Sequence, residues 1–100
     1  MKNLETPIQA TRALVQFCED HGYPVCGLES VRECLQALTR ADVEGAIGAF
    51  KGVPLGGMGC FNDWVPVPKN GSESPQILAE LFEVLVKQWS GTMRGLFESL

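Results

Sequence analysis

The sequence of 100 residues has no segment in which lysine and arginine gather. Its 8 basic residues are scattered among 12 acidic ones, and the formal net charge is −4. A nucleic-acid-binding protein neutralises phosphates with a basic stripe or patch, so this pattern argues against DNA and RNA as ligands. A mildly acidic surface suits a basic protein partner.

Long hydrophobic runs are also missing. No run approaches the roughly 18 apolar residues of a membrane span. The first twenty residues carry acidic and polar side chains throughout, unlike a secretory signal. We therefore expect a cytoplasmic protein without a membrane partner. The length is that of one domain with a single core, covering residues 1–100.

Histidine is scarce, and the cysteines lack the spacing of a metal site. The chain has a single histidine, His21, and no C-x-x-C pair of the kind found in zinc sites, so no metal site is predicted. A nucleophilic Cys60 with His21 as its base would need a strand and a sharp turn that the sequence lacks. We expect all the cysteines to be free, structural thiols: Cys18, Cys26, Cys34 and Cys60.

Helical periodicity is what the sequence does contain, and it begins near the N-terminus. Thr6 and Pro7 are typical of an N-cap and a first helical residue, which predicts a helix over about 7–20. His21 and Gly22 end this helix. We expect His21 to serve this helix end rather than catalysis.

Two amphipathic helices follow. The second begins near Leu28, and the third follows a break at which Thr39 is the candidate N-cap. Gly45 and Gly48 each lower the helix propensity of the third helix by roughly 1 kcal/mol relative to alanine. We expect another backbone to pack closely against these two glycines.

The last helix has the strongest pattern. Ser74 and Pro75 predict its start, while Ser90 and Gly91 mark a place where it can bend or end. Its apolar stripe is longer than three short helices cover, so the surplus can form a homodimer interface. These segments predict an all-α, small four-helix domain. The apolar stripe comprises Ile77, Leu78, Leu81, Phe82, Leu85, Trp89, Met93, Leu96, Phe97 and Leu100.

A long Gly/Pro-rich loop from Lys51 to Ser74 precedes the last helix and exceeds the usual 2–8 residues or so between packed helices. Its apolar content predicts an ordered loop with room for a short hairpin. It lacks the G-K-[ST] ending of a P-loop, so no nucleotide or other cofactor is expected. Three glycines shape the loop, and two aromatic anchors surround an amide and a carboxylate. The loop-shaping residues are Gly56, Gly57 and Gly59, and the candidate partner-binding residues are Met58, Phe61, Asn62, Asp63 and Trp64.

The run G-G-M-G-C-F-N-D at residues 56–63 resembles the signature G-G-M-G-S-F-N-D of a family of small bacterial proteins of unknown function. The order of elements agrees over about residues 10–95, and Cys60 stands where the family has serine. That difference argues further against a cysteine nucleophile. The resemblance implies no established activity, and by analogy small acidic proteins of this kind are often immunity or accessory proteins.

Two functions follow from these observations. The first is a non-enzymatic protein-interaction module, in its specific form a cytoplasmic immunity protein that binds a basic toxin through residues 56–64. The alternative is a small-molecule-binding protein or minor enzyme in which the glycine-rich loop closes as a lid over a helical pocket.

Overall fold

The structure is a computed structural model, and it describes residues 4–23, 27–53, 66–68, 71 and 73–99. Within these ranges the chain forms helices and no strand, so the prediction of a small all-α domain with four helices is confirmed. The predicted hairpin lies outside the described residues. In chain order the helices are α1 (Glu5–Asp20), α2 (Gly27–Thr39), α3 (Val43–Lys51) and α4 (Pro75–Glu98).

Helix α1 begins two residues earlier than predicted. Leu4 occupies the N-cap position without a side-chain cap hydrogen bond, so the prediction that Thr6 is the N-cap is wrong. Pro7 still lies in the first turn, where the missing N–H leaves no helical hydrogen bond unmade. Its carbonyl accepts a hydrogen bond from the buried Thr11 hydroxyl at 2.6 Å.

Helices α1 and α2 end in the same hydrogen-bond arrangement. Gly22 follows α1 with φ 70°, and the next N–H donates to the Cys18 carbonyl at 2.8 Å. Ala41 follows α2 with φ 59°, and the next N–H donates to the Ala37 carbonyl at 2.8 Å. This is the Schellman motif, which usually has glycine at the left-handed position. The predicted end of α1 is confirmed, whereas the left-handed residue that follows α2 is an alanine, for which this conformation costs roughly 1–2 kcal/mol.

Asp42, not Thr39, is the N-cap of α3. The Asp42 carboxylate accepts a hydrogen bond from the Gly45 N–H at 2.9 Å. Thr39 is the last residue of α2, and its hydroxyl donates to the Gln36 carbonyl at 2.8 Å. The prediction was wrong because Ala41 takes the left-handed conformation, which moves the start of α3 three residues along the chain.

The two glycines of α3 lie on its outer side. Gly45 and Gly48 are exposed, and a Cβ atom added at Gly48 would meet nothing within 4 Å. A Cβ atom at Gly45 would collide with the Asp42 carboxylate. The expected close packing of another backbone against both glycines is therefore wrong, since α3 turns Ala46 and Ile47 toward the core instead.

Helix α4 begins as predicted and continues past the place where the sequence allowed a bend or an end. The Ser74 hydroxyl oxygen accepts a hydrogen bond from the Ile77 N–H at 3.4 Å, and Pro75 is the first helical residue. The helix continues through Ser90 and Gly91 to Glu98, so it does not end early at that pair.

The core lies where α1 and α2 meet α3 and α4. The end of α1 lies beside the start of α4, with the rings of Phe17 and Phe82 stacked at a centroid distance of 6.0 Å. Trp89 is fully buried, and the Phe50 ring meets it edge-on at 5.2 Å. The buried cluster comprises Leu14, Val15, Cys18, Leu28, Val31, Cys34, Ala37, Leu38, Ala46, Ile47, Val53, Phe82, Val86, Trp89, Met93 and Leu96.

Candidate functional site

The site predicted from the sequence lies in residues 54–65, outside the part of the chain that the structure describes. Its role therefore stays a prediction. The described residues on either side, Val53 and Pro66, are both buried. The predicted site comprises the partner-binding residues Met58, Phe61, Asn62, Asp63 and Trp64 and the loop-shaping residues Gly56, Gly57 and Gly59.

Helix α4 carries large apolar side chains on two different sides. Ile77, Leu81 and Val84 are 57%, 47% and 49% exposed. Their spacing of four and then three residues places them on one side of the helix. We call these three residues the α4 strip. The opposite, core-facing residues of the helix are Leu78, Phe82, Val86, Trp89, Met93 and Leu96.

The sequence analysis placed Ile77 and Leu81 in the same stripe as the core residues, and the structure corrects this. Each is followed directly by a buried apolar residue, Leu78 or Phe82. Consecutive residues of a helix point about 100° apart, so a single narrow stripe cannot hold both members of such a pair. These two apolar pairs are the signal in the sequence that indicates a second apolar surface.

The charges beside the α4 strip are mainly negative. Glu83 pairs with Lys87 at 2.9 Å, and both side chains are well exposed. Glu80, next to Leu81 in the chain, is exposed and forms no ion pair with a described residue. The strip therefore has an acidic border with one uncompensated carboxylate, which favours a basic group on a partner.

A groove between α1 and α4 continues the surface of the strip. It encloses about 400 Å³. Gln88, which lines it, follows Val84 by four residues and so lies on the same side of α4 as the strip. The combined surface is elongated, as is a groove that accepts a helix. The groove is lined by Thr6, Gln9, Ala10, Ala13, Gln88 and Thr92.

A second groove, of about 460 Å³, runs between α2 and α3. Glu33, Arg40 and Asp42 supply its charges, and Gly45 and Gly48 contribute no side chain on its α3 side. The Asp42 carboxylate is already engaged in capping α3. This groove offers charged and amide groups to a small polar molecule, and it bears on the alternative function.

The single histidine is held by contacts at both ring nitrogens. His21 Nδ1 lies 2.9 Å from the Phe17 carbonyl oxygen, and Nε2 lies 3.1 Å from a Glu73 carboxylate oxygen. The Phe17 ring stacks on the imidazole at a centroid distance of 4.4 Å. His21 thus serves the end of α1, as predicted. The sequence analysis did not predict its contact with Glu73, since no local pattern links residues so far apart.

The described thiols are inert at neutral pH. Cys18 and Cys34 are free and buried, as predicted, while Cys26 and Cys60 lie outside the described residues. Burial raises the pKa of the Cys18 thiol to about 12, against the opposing charge of Arg32. Burial also raises the pKa of Cys34 to about 11, although hydrogen bonds with neighbouring side chains act in the other direction. A nucleophilic cysteine needs a lowered pKa, so neither thiol has that chemistry.

Metal-binding and membrane-spanning features are absent from the described ranges. Their His, Cys, Asp and Glu side chains form no group of three or more that could hold a metal ion. None of the described helices combines the length and the apolar character needed to cross a bilayer.

Comparison of the chain with family models, with curated proteins and with solved structures found no significant match. The resemblance of residues 56–63 to a bacterial signature therefore stays a prediction. Among the surfaces of the described residues, the α4 strip is the most distinctive.

Proposed function

We propose that the protein is a non-enzymatic protein-interaction module and that the α4 strip is part of its docking surface. The observation that supports this proposal is the exposure of Ile77, Leu81 and Val84, each about half exposed, on one side of the longest helix. Exposed apolar residues that occur singly are normal, whereas contiguous ones mark interaction surfaces. Three on one helical side form such a group.

The chemistry of the strip indicates a partner with an amphipathic helix and basic flanks. Residues spaced by three and four positions on the partner would meet Ile77, Leu81 and Val84. A lysine or arginine beside that apolar face would meet Glu80, which adds specificity and speeds association. In its specific form, we propose that the protein is a cytoplasmic immunity protein and that its partner is a basic toxin.

The loop at residues 56–64 extends this proposal rather than competing with it. Phe61 and Trp64 are aromatic residues of the kind that form interface hot spots, and Asp63 offers a second carboxylate to a basic partner. We propose that they act with the α4 strip on the same partner. Asp63→Ala and Trp64→Ala would then each weaken binding while the helical content stays unchanged.

The decisive experiment compares two exposed residues of the same helix. A partner captured from the native host is titrated calorimetrically against the wild type, Leu81→Glu and Phe97→Ala. Phe97 is also exposed, by 46%, but its ring lies against Lys51, away from the strip. We expect Leu81→Glu to weaken binding by at least about tenfold, and Phe97→Ala by less than about twofold.

Equal affinities of the wild type and Leu81→Glu for the captured partner would contradict the proposal. Light scattering on the purified protein tests a second copy as the occupant of the strip. If the wild type is a homodimer and Leu81→Glu is a monomer, the strip binds a second copy of this chain and not a different protein.

The alternative function, a small-molecule-binding protein or minor enzyme, has the groove between α2 and α3 in its favour. A thermal-shift screen with nucleotides, metabolites and metal ions tests it. Stabilisation by one ligand class that is lost in Arg40→Ala would favour this alternative, because Arg40 lines that groove. Stabilisation that persists in Arg40→Ala would locate the ligand elsewhere.

A further inference from the structure

Both ring nitrogens of His21 face hydrogen-bond acceptors. The Phe17 carbonyl oxygen can only accept, so Nδ1 donates to it across 2.9 Å. Glu73, when ionised, also offers only acceptor oxygens, one of them 3.1 Å from Nε2. A neutral imidazole carries one N–H and can satisfy only one of these two contacts. The arrangement therefore requires one further proton, on Nε2 or on the carboxylate.

The contact between His21 and Glu73 joins the end of α1 to the start of α4, so the shared proton affects how these two helices are held together. His21 is the C-cap of α1, and Glu73 directly precedes Ser74, the N-cap of α4. The His21 side chain is only 8% exposed and that of Glu73 is 26% exposed. A contact shielded in this way is weakened little by salt, unlike an ion pair on the surface.

We propose that His21 and Glu73 form a proton-dependent latch that fixes the chain entering α4 against the end of α1. With the proton bound, Nε2–H···O joins the two elements as a charge-assisted hydrogen bond. Without it, the lone pair of Nε2 faces a carboxylate, and the contact becomes repulsive. Acid therefore closes the latch, and alkali opens it.

The groups around the ring in the described part of the chain have other contacts. Phe17 stacks on the imidazole, and Phe82 of α4 packs against Phe17, but neither ring titrates. The acidic residues of the last turn of α1 have their own partners: Glu19 binds Arg32 at 2.9 Å, and Asp20 accepts from Gln16 at 2.9 Å.

The latch acts close to the proposed docking surface. Ile77, the first residue of the α4 strip, lies in the first turn of α4, and its N–H is the donor to the Ser74 cap. Opening of the latch would loosen the chain just before this turn. The latch itself exists without any partner, so it can be tested independently of the proposed function.

The first test uses two-bond proton–nitrogen NMR spectra of the imidazole ring, which are unambiguous because the chain has 1 histidine. We expect the wild type at mildly acidic pH to show N–H on both nitrogens, with a coupling across the Glu73 contact. In Glu73→Gln the amide can donate to Nε2, so a ring protonated only on Nδ1 satisfies both contacts. A wild-type ring that never carries a proton on Nε2 while in contact with Glu73 would overturn the proposal.

The second test measures stability against pH in the wild type and Glu73→Gln, with Glu80→Gln as a matched control on an exposed carboxylate. We expect the folding equilibrium constant of the wild type, relative to that of Glu73→Gln, to fall as the pH is raised through loss of the shared proton. Glu80→Gln should follow the wild type. Parallel curves for the wild type and Glu73→Gln would show that the pair is only a structural contact, and the latch would be rejected.

Discussion

The two apolar sides of α4 have similar residues and opposite surroundings. On the core side, Phe82 is 3% exposed and packs near the rings of Phe17 and Tyr23 at 6.0 and 6.3 Å. On the strip side, Leu81 is 47% exposed. Full burial of a leucine or phenylalanine stabilises by roughly 1.5–3 kcal/mol, so the strip residues leave about half of that stabilisation to a partner. Apolar periodicity alone does not tell which side of a helix its own chain covers.

The largest expected effect separates two neighbouring residues on these two sides. Phe82→Ala should lower the free energy of unfolding by about 3–5 kcal/mol, because it removes a buried ring and leaves a cavity among aromatic neighbours. Leu81→Ala should lower it by less than about 1 kcal/mol. Urea denaturation followed by circular dichroism measures both. Equal losses would mean that the two sides are packed alike.

The core thiols provide a pH-dependent probe of the packed side. Because burial raises the pKa of Cys18 above its ordinary value of 9.0 to about 12, its contribution to stability is complete below pH 9.0 and is lost as the pH rises toward 12. This thiol should lower the free energy of unfolding by up to about 1.4 kcal/mol per pH unit in that range.

Denaturation at increasing alkaline pH measures this loss, and Cys18→Ala should show a shallower decline than the wild type. Cys34→Ala is a second variant, and it removes the corresponding loss from the Cys34 thiol, which ends nearer pH 11. A decline that neither substitution changes would show that other groups cause the alkaline loss.

A third change affects both sides of α4 at once. Ser74→Ala removes the oxygen that accepts the Ile77 N–H, and it should cost about 1 kcal/mol of stability. The first turn carries Ile77 of the strip and Leu78 of the core. Fraying of this turn would therefore expose Leu78 and disorder Ile77. Amide hydrogen exchange should become faster in this turn and stay unchanged near Trp89. Uniform acceleration along α4 would indicate global destabilisation instead.

The smallest expected effect is that of Val84→Thr, which is compared with the same substitution at Val86 on the core side. Val84→Thr on the strip should change the free energy of unfolding by no more than about 0.5 kcal/mol, because the hydroxyl reaches water. Val86→Thr places the same hydroxyl at a position only 5% exposed, and it should cost about 1–3 kcal/mol. Thermal denaturation of the two variants measures the contrast. Similar melting temperatures would show that the strip is covered in solution.

Local signals predicted the ends of helices where side chains act within one turn. Ser74 with Pro75, and His21 with Gly22, mark real helix ends because capping depends on neighbours in sequence. Thr39 has the right side chain for a cap, but Asp42 is the N-cap of α3, because the backbone at Ala41 has a conformation that alanine rarely adopts. Local sequence does not indicate such an exception.

The surfaces were harder to predict than the helices. The sequence showed surplus apolar residues in α4, but it did not show which of them α1 and α3 would cover. The contact between His21 and Glu73 links residues 52 positions apart and depends on how α1 meets α4. Both features follow from tertiary packing, for which a single sequence gives no direct signal.

The connection between α2 and α3 does not tolerate a change in its number of residues. Only residues 40–42 separate the two helices, and one of them already has a left-handed backbone. An insertion of one residue here would break the hydrogen bond from the Asp42 N–H to the Ala37 carbonyl and redirect α3, so that Ala46 and Ile47 would no longer face the core. Natural variants of this chain should therefore differ in amino-acid type at this turn far more readily than in its number of residues.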